Sequence, residues 1–259
     1  MTGASSGIGR AIALALASAG AGTDGSTNGA ASRILVHYRQ NESGAEQTAQ
    51  MIRQLGGHPV LFSADLSNPN DVTRLVQHAV QTLGPIQTWV NNAGADMLTG
   101  QAKDWDFETK LRRLFDVDVI GTISLSRQVA ARLRDQASEK PPSMVFIGWD
   151  QADQGMEGDA GQLFAPVKAA VAAFATSLAQ DFADQVRVNT VAPGWIQTSW
   201  GTSTSEYWDQ RAKQQALMGR WGTPEDIARA VLYVADPDNS FLQGQTITVN
   251  GGWNRRFDR

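Results

Sequence analysis

Three glycines at positions 3, 7 and 9, in Gly3-Ala-Ser5-Ser6-Gly7-Ile8-Gly9, stand directly before a helical apolar pattern. Glycine lets backbone amides approach a ligand closely, and a helix N-terminus adds partial positive charge, so the natural use of such a cluster is to bind a pyrophosphate. Alone, it fits a plain helix start equally well. A second chemical feature is the acid run Asp150-Gln-Ala-Asp153-Gln-Gly-Met-Glu157-Gly-Asp159. A carboxyl buried there against an apolar wall would have a raised pKa and could donate a proton, whereas a solvated acidic loop would do no chemistry. The segment 200–221 gathers Trp200, Tyr207, Trp208, Met218 and Trp221. These suit an aromatic substrate pocket, or the packing of a lid or a subunit contact. His37, His58 and His78 lack ligand spacing, so no metal site is expected and they read as solvated or strand-end residues.

The elements that must position these groups alternate. Helical periodicity runs from Ile8 to Ala19, Ala45 to Leu55, Asn70 to Leu83, Phe107 to Ala137 and Phe164 to Phe182. Short β-branched or aromatic runs fall between them at Ile34 to Tyr38, Val60 to Ser63, Thr88 to Asn91, Met144 to Ile147 and Val186 to Val191, with a last one at Gln245 to Val249. Helices at Ser205 to Ala216 and Pro224 to Val234 precede that last strand. The alternation predicts an α/β fold of Rossmann type, a doubly wound parallel sheet in one domain over 1–259, with a small lid around 199–221.

Two irregularities interrupt the pattern. Gly22 to Ser32 replaces a tight helix-to-strand connection and reads as a mobile surface loop. The glycine cluster lies at the start of the sequence, so the strand that should precede it is missing. A central strand bonds to two neighbours, so its loss would be costly. The natural start is therefore expected upstream, an internal valine codon having been read as Met1.

With 19% charged residues, a net charge of −4 and scattered Lys and Arg, the chain offers no nucleic-acid surface. No apolar run approaches the ~18–20 residues needed to cross a bilayer, so no membrane association is expected. The absence of cysteine and of a signal-peptide pattern favours a cytoplasmic protein.

Thr2-Gly3-Ala4-Ser5-Ser6-Gly7-Ile8-Gly9 resembles the Thr-Gly-x-x-x-Gly-x-Gly of the short-chain dehydrogenase/reductase superfamily, and the resemblance extends over nearly the whole chain. It implies cofactor contacts from Gly3, Ser5, Ser6, Gly7, Ile8 and Gly9, and adenine contacts from Asp65 and Leu66. Asn91-Asn92-Ala93-Gly94 matches the family's Asn-Asn-Ala-Gly, which places Asn92, Ala93 and Gly94 beside the adenine ribose. Pro193-Gly194-Trp195-Ile196-Gln197-Thr198 is similar to the family's Pro-Gly-x-x-x-Thr, which implies that Pro193, Gly194, Ile196 and Thr198 hold the nicotinamide. NAD-preferring relatives place an acid at the end of the second family strand, where this chain has His37-Tyr38-Arg39-Gln40-Asn41. Arg39 suits a 2′-phosphate, so NADP(H) is favoured over NAD(H), the alternative being a solvated strand-end charge.

The family pairs a tyrosine with a lysine four residues on, and here Phe164-Ala-Pro-Val-Lys168 keeps only the lysine. A phenyl ring donates no proton. Trp149 stands nearest to the position of the family serine, with Asp150 the nearest polar substitute, and Asp118 takes that of the helix asparagine. Lys168 keeps its implied work on the cofactor ribose, and Tyr207 is the one tyrosine near the substrate region. The resemblance, closest to the ketoacyl-carrier-protein reductase branch, implies a carbonyl reductase or alcohol dehydrogenase with an atypical active site. The alternative is a non-catalytic cofactor-binding sensor or scaffold. Relatives of this length imply a homotetramer or homodimer.

Overall fold

The computed structural model describes residues 1–20 and 31–256. All but the last two residues of the loop expected at Gly22 to Ser32 lie outside the described residues. In chain order the described elements are α1 (Gly7–Gly20), β1 (Arg33–Tyr38), α2 (Glu42–Gln54), β2 (His58–Ser63), α3 (Pro69–Leu83) and β3 (Thr88–Asn91). A short 3-10 turn (Gly100–Asp104) then leads to α4 (Phe107–Leu114), a π-turn (Phe115–Gly121) and α5 (Thr122–Asp135). The remainder is β4 (Ser143–Ile147), α6 (Gly158–Phe182), β5 (Arg187–Pro193), α7 (Ser199–Thr202), α8 (Glu206–Gln215), α9 (Pro224–Ala235) and β6 (Thr246–Val249).

Every strand pair is parallel, in two ladders of order β1-β2 and β3-β4-β5-β6. The gap between the ladders is bridged by the first four residues. The Thr2 amide donates to the Val90 carbonyl at 3.0 Å, the Ala4 amide to the His37 carbonyl at 2.9 Å, and the His37 amide to the Met1 carbonyl at 3.3 Å. No strand precedes α1 among the described elements, as expected, and residues 1–4 bond through their backbone to the neighbours on both sides.

Successive strand residues face opposite sides of the sheet, so both faces must be apolar where helices cover both. Met144 and Phe146 accordingly join Trp89, Leu125 and Leu163 in one core, while Val145 and Ile147 join Ile12, Val36 and Ile227 in the other. Local signals start several helices. Asn68 caps α3 ahead of Pro69, and Thr223 with Asp226 forms a capping box on α9.

Three expectations are corrected. The helix expected over Phe107 to Ala137 is broken into α4, the π-turn and α5. An added Cβ on Gly121 would come within 2.4 Å of the Leu66 carbonyl oxygen, so the helix passes tight against the connection from β2 to α3 there. Helix α6 starts at Gly158 rather than Phe164, which takes Asp159 out of the acidic loop and into its first turn. It is also long and apolar enough to span a bilayer by length and composition, with mean hydropathy 1.3 over its most apolar window. Its alanine-rich composition hides that property from a search for continuous apolar runs. The stripe Leu163, Val167, Val171, Ala175 and Leu178 is buried in the core, as befits a helix packed on a sheet.

Candidate functional site

At the carboxyl ends of β1, β2 and β3 lies a cleft of about 480 Å³. It is where an open α/β sheet is expected to bind a ligand. Of the residues expected at the cofactor, Gly3, Ser5, Ser6, Gly7, Ile8, Gly9, Arg39, Asp65, Leu66, Asn92, Ala93, Gly94 and Thr198 all line it. Pro193, Gly194, Ile196 and Lys168 do not. Ile196 is buried and bridges to Gly222.

The glycine loop is locked from three sides. Thr2 Oγ1 accepts the Asn92 and Ala93 amides at 3.0 and 3.1 Å, and Asn92 Nδ2 donates to the Thr2 and Gly3 carbonyls at 3.2 and 3.0 Å. Arg10 donates to the Ser5 and Gly44 carbonyls at 2.6 and 3.1 Å. His37 Nδ1 accepts the Gly3 amide at 3.1 Å, while Nε2 lies 3.1 Å from the Ala64 carbonyl. The two bonds fit one neutral tautomer, with the proton on Nε2. Burial pushes the imidazole down to about 4, against a smaller upward pull from its bond to Ala64. His37 sits at the strand end, as read, but is buried rather than solvated. It and Thr2 are site residues that sequence reasoning missed. The only signal for His37 was its place beside Tyr38-Arg39.

Small residues are required here for space. A Cβ on Gly9 would lie 2.0 Å from the Gly3 carbonyl oxygen, and one on Gly3, whose φ is +63°, 2.8 Å from Ala93 Cα. A Cβ on Gly7 would meet only Thr198, at 3.6 Å, so Gly7 faces the open cleft. These are the features of a backbone cradle that a pyrophosphate would fill. Asp65 is engaged by Arg113 at 2.9 Å and by the Ser67 amide and hydroxyl. Burial alone would raise its carboxyl, but the bonds from Ser67 and Arg113 outweigh that and hold it at about 2. Arg39 is exposed, and among the described residues its guanidinium donates only to Gln40, at 3.2 Å.

The residues expected at the reaction centre divide. Lys168 and Asp118 meet, Nζ to Oδ2, at 3.2 Å. Phe164 is half-buried and packs on the core beneath β4, and Trp149 is half-buried. Asp150 lies elsewhere: its Oδ2 accepts from Asn250 at 3.0 Å, and a Cβ on Gly194 would come within 3.1 Å of the same oxygen. Burial raises the Asp150 carboxyl to about 6, partly offset by the Asn250 bond, and its Oδ1 has no partner. Tyr207 is exposed, with its hydroxyl 3.2 Å from Arg211, and it does not line the cleft. Among the described residues no cluster suits a metal ion.

The aromatic segment packs chiefly on itself. Trp195 lies 5.8 Å from both Trp208 and Trp221 and 6.3 Å from Trp200, ring centre to ring centre. Two of these indoles are tied by their ring nitrogens, Trp195 to Gln215 and Trp221 to Asp209, at 2.8 and 2.9 Å. Met218 stays exposed. Trp195, read only as part of the Pro-Gly segment, is the hub.

A doubly wound sheet with a glycine cradle at its carboxyl edge defines a dinucleotide-binding protein. The family profile described as enoyl-(acyl carrier protein) reductase matches residues 3–254. A 3-oxoacyl-[acyl-carrier-protein] reductase of Pseudomonas aeruginosa is 33% identical over 256 residues, covering 97% of this chain and 95% of the relative. Among solved structures, a 7α-hydroxysteroid dehydrogenase complexed with NADH and 7-oxo glycochenodeoxycholic acid superposes with a TM-score of 0.82 at 28% identity, covering 100% of this chain and 94% of the other. A short-chain dehydrogenase of Burkholderia cenocepacia in complex with NADP gives 0.80 at 26% identity, covering 97% and 95%. The chain belongs to the short-chain dehydrogenase/reductase family of oxidoreductases, whose members bind a nicotinamide cofactor.

Proposed function

We propose that this chain binds NADP(H) in preference to NAD(H) and acts on a small carbonyl or alcohol compound through an atypical active site. The cleft carries this reading, because its cradle of Gly3, Gly7 and Gly9 and the exposed guanidinium of Arg39 suit a dinucleotide with a 2′-phosphate. Among the described residues no acid pairs with Arg39. Asp65 and Leu66 would flank the adenine, and Asn92, Ala93 and Gly94 its ribose. Lys168 would hold the second ribose, with Pro193, Gly194, Ile196 and Thr198 against the nicotinamide. The bound nucleotide would supply or accept hydride.

The chain's own residues bind, orient and shield. Phe164 and Trp149 offer apolar surface where a proton donor is needed, and Lys168 is the protic group one helical turn from Phe164. Asp150 and Tyr207 would serve only if substrate binding moved them. Segment 199–221 would act as the lid. The relatives named above act on keto groups of acyl and steroid compounds by their names, which supports a carbonyl substrate without choosing one. A cytoplasmic homotetramer or homodimer completes the reading.

A second reading, a nucleotide-binding sensor or scaffold without turnover, is favoured by one observation: position 164 carries a hydrocarbon ring. Titration with NADPH and NADH by fluorescence, followed by assay against a carbonyl panel, separates the readings. NADPH is expected to bind more tightly, and Arg39→Ala to weaken it about tenfold while leaving NADH unchanged. Tighter NADH binding would reverse the preference, and binding of neither nucleotide would overturn the function. Binding without turnover would establish the sensor.

A further inference from the structure

Phe164 and Lys168 stand four residues apart on α6 and so are neighbours on one helix face. The lysine ammonium lies 3.2 Å from Asp118 Oδ2, with the lysine side chain 18% exposed and that of Asp118 2%. Oδ1 of the same carboxylate accepts the Ala95 amide at 2.7 Å. A Cβ on Gly94 would come within 2.7 Å of Oδ2. Asp118 therefore touches both the loop that lines the cleft and the lysine of α6. It sits in the π-turn, where the helix bulges between α4 and α5.

No other acid among the described residues forms an ion pair with Lys168. Asp116 and Asp159 are exposed, and Asp150 is engaged with Asn250 behind Gly194. A largely buried ammonium needs a counter-charge or a hydrogen-bond acceptor, and the phenyl ring at 164 is neither. The carboxylate at 118 answers that need.

We propose that Asp118 is the charge partner of Lys168 and a positioning residue of this site. The pair brings the net charge near position 164 close to zero. A hydroxyl restored at 164 alone would not feel the full field of the lysine, because the paired carboxylate opposes it. Phe164 and Asp118 are thus two parts of one change, and the site is coherent around an ion pair. The inference rests on the proposed nucleotide site for its location, but its test does not depend on turnover.

The full chain is made with Phe164→Tyr and with Phe164→Tyr combined with Asp118→Asn, each labelled with ¹³C at the tyrosine ring. NMR titration follows the introduced phenol, with Tyr38, Tyr207 and Tyr233 assigned from the parent protein. The phenol is expected to titrate at least about 1 pH unit lower when Asp118→Asn is also present. Turnover with NADPH, where detected, is expected to gain at least about tenfold more from Phe164→Tyr in the Asp118→Asn background. Asp118→Ser keeps an acceptor for the Ala95 amide and serves if the amide variant does not fold. Equal phenol titration in both backgrounds would overturn the proposal. Failure to bind either nucleotide would overturn the function instead, while the titration would still decide the role of Asp118.

Discussion

The two ends of the proposed nucleotide site are built from different materials. At the glycine end, backbone amides and carbonyls do the shaping, and Thr2, Arg10, His37 and Asn92 serve mainly to bond that backbone. At the Phe164 end, the candidate groups are side chains: a phenyl ring packed on the core, a half-buried indole and a lysine–aspartate pair. A backbone-built surface fixes its residue types through spacing, since one added carbon at Gly9 collides with the chain. A side-chain surface can be rewritten while the helix and strand beneath stay in place. The fold can thus keep its nucleotide end while its chemistry is altered.

The sharpest way to break this contrast is Gly9→Ala. Its methyl would sit 2.0 Å from the Gly3 carbonyl oxygen, so a loss of about 3 kcal/mol of stability and at least about a hundredfold in nucleotide affinity is expected. Phe164→Leu at the other end should leave affinity within about twofold. Normal nucleotide binding by Gly9→Ala would end the distinction.

The next effect is titration at the glycine end. His37 is held at about 4 by burial against an ordinary 6.5, so the unfolded chain takes up its proton first. The stability contributed by neutral His37 is full above about 6.5 and is lost as pH falls towards 4, by about 3 kcal/mol in all. Urea melts across that window should show the loss, and His37→Gln should flatten it. An unchanged slope in the variant would remove His37 from the account.

The smallest effect has the opposite sign. Burial raises the Asp150 carboxyl from 3.8 to about 6, so the unfolded chain ionises first and the native state loses stability as pH rises through that interval. Asp150→Asn should therefore stabilise the protein by about 1–3 kcal/mol at pH 8 and by little at pH 4. A stabilisation equal at both values would show that charge is not the cause.

The parallel sheet and the glycine cradle were legible because both follow from local patterns, such as alternating strands and helices and glycines before a helix. What escaped was set by contacts between distant segments. His37 reads as a strand-end residue until Gly3, 34 positions away, donates to its ring. The π-turn is hidden because apolar periodicity continues through Val117 and Val119, both buried on either side of Asp118. The start of α6 at Gly158 was masked by the acids around it. Asp118 was read as a replacement for an asparagine, but its contact with Lys168 spans 50 positions and no spacing rule exposes it.

The tryptophans gathered about Trp195 also make the molecule its own optical gauge. Indoles this close, at 5.8 to 6.3 Å between Trp195 and its three neighbours, share excitation rather than absorb independently. Three of them, Trp200, Trp208 and Trp221, belong to segment 199–221, while Trp195 stands two residues after the end of β5. Any shift of that segment relative to the sheet would change the angles between the rings, and with them the near-ultraviolet circular dichroism. Such a shift can be followed without attaching a dye.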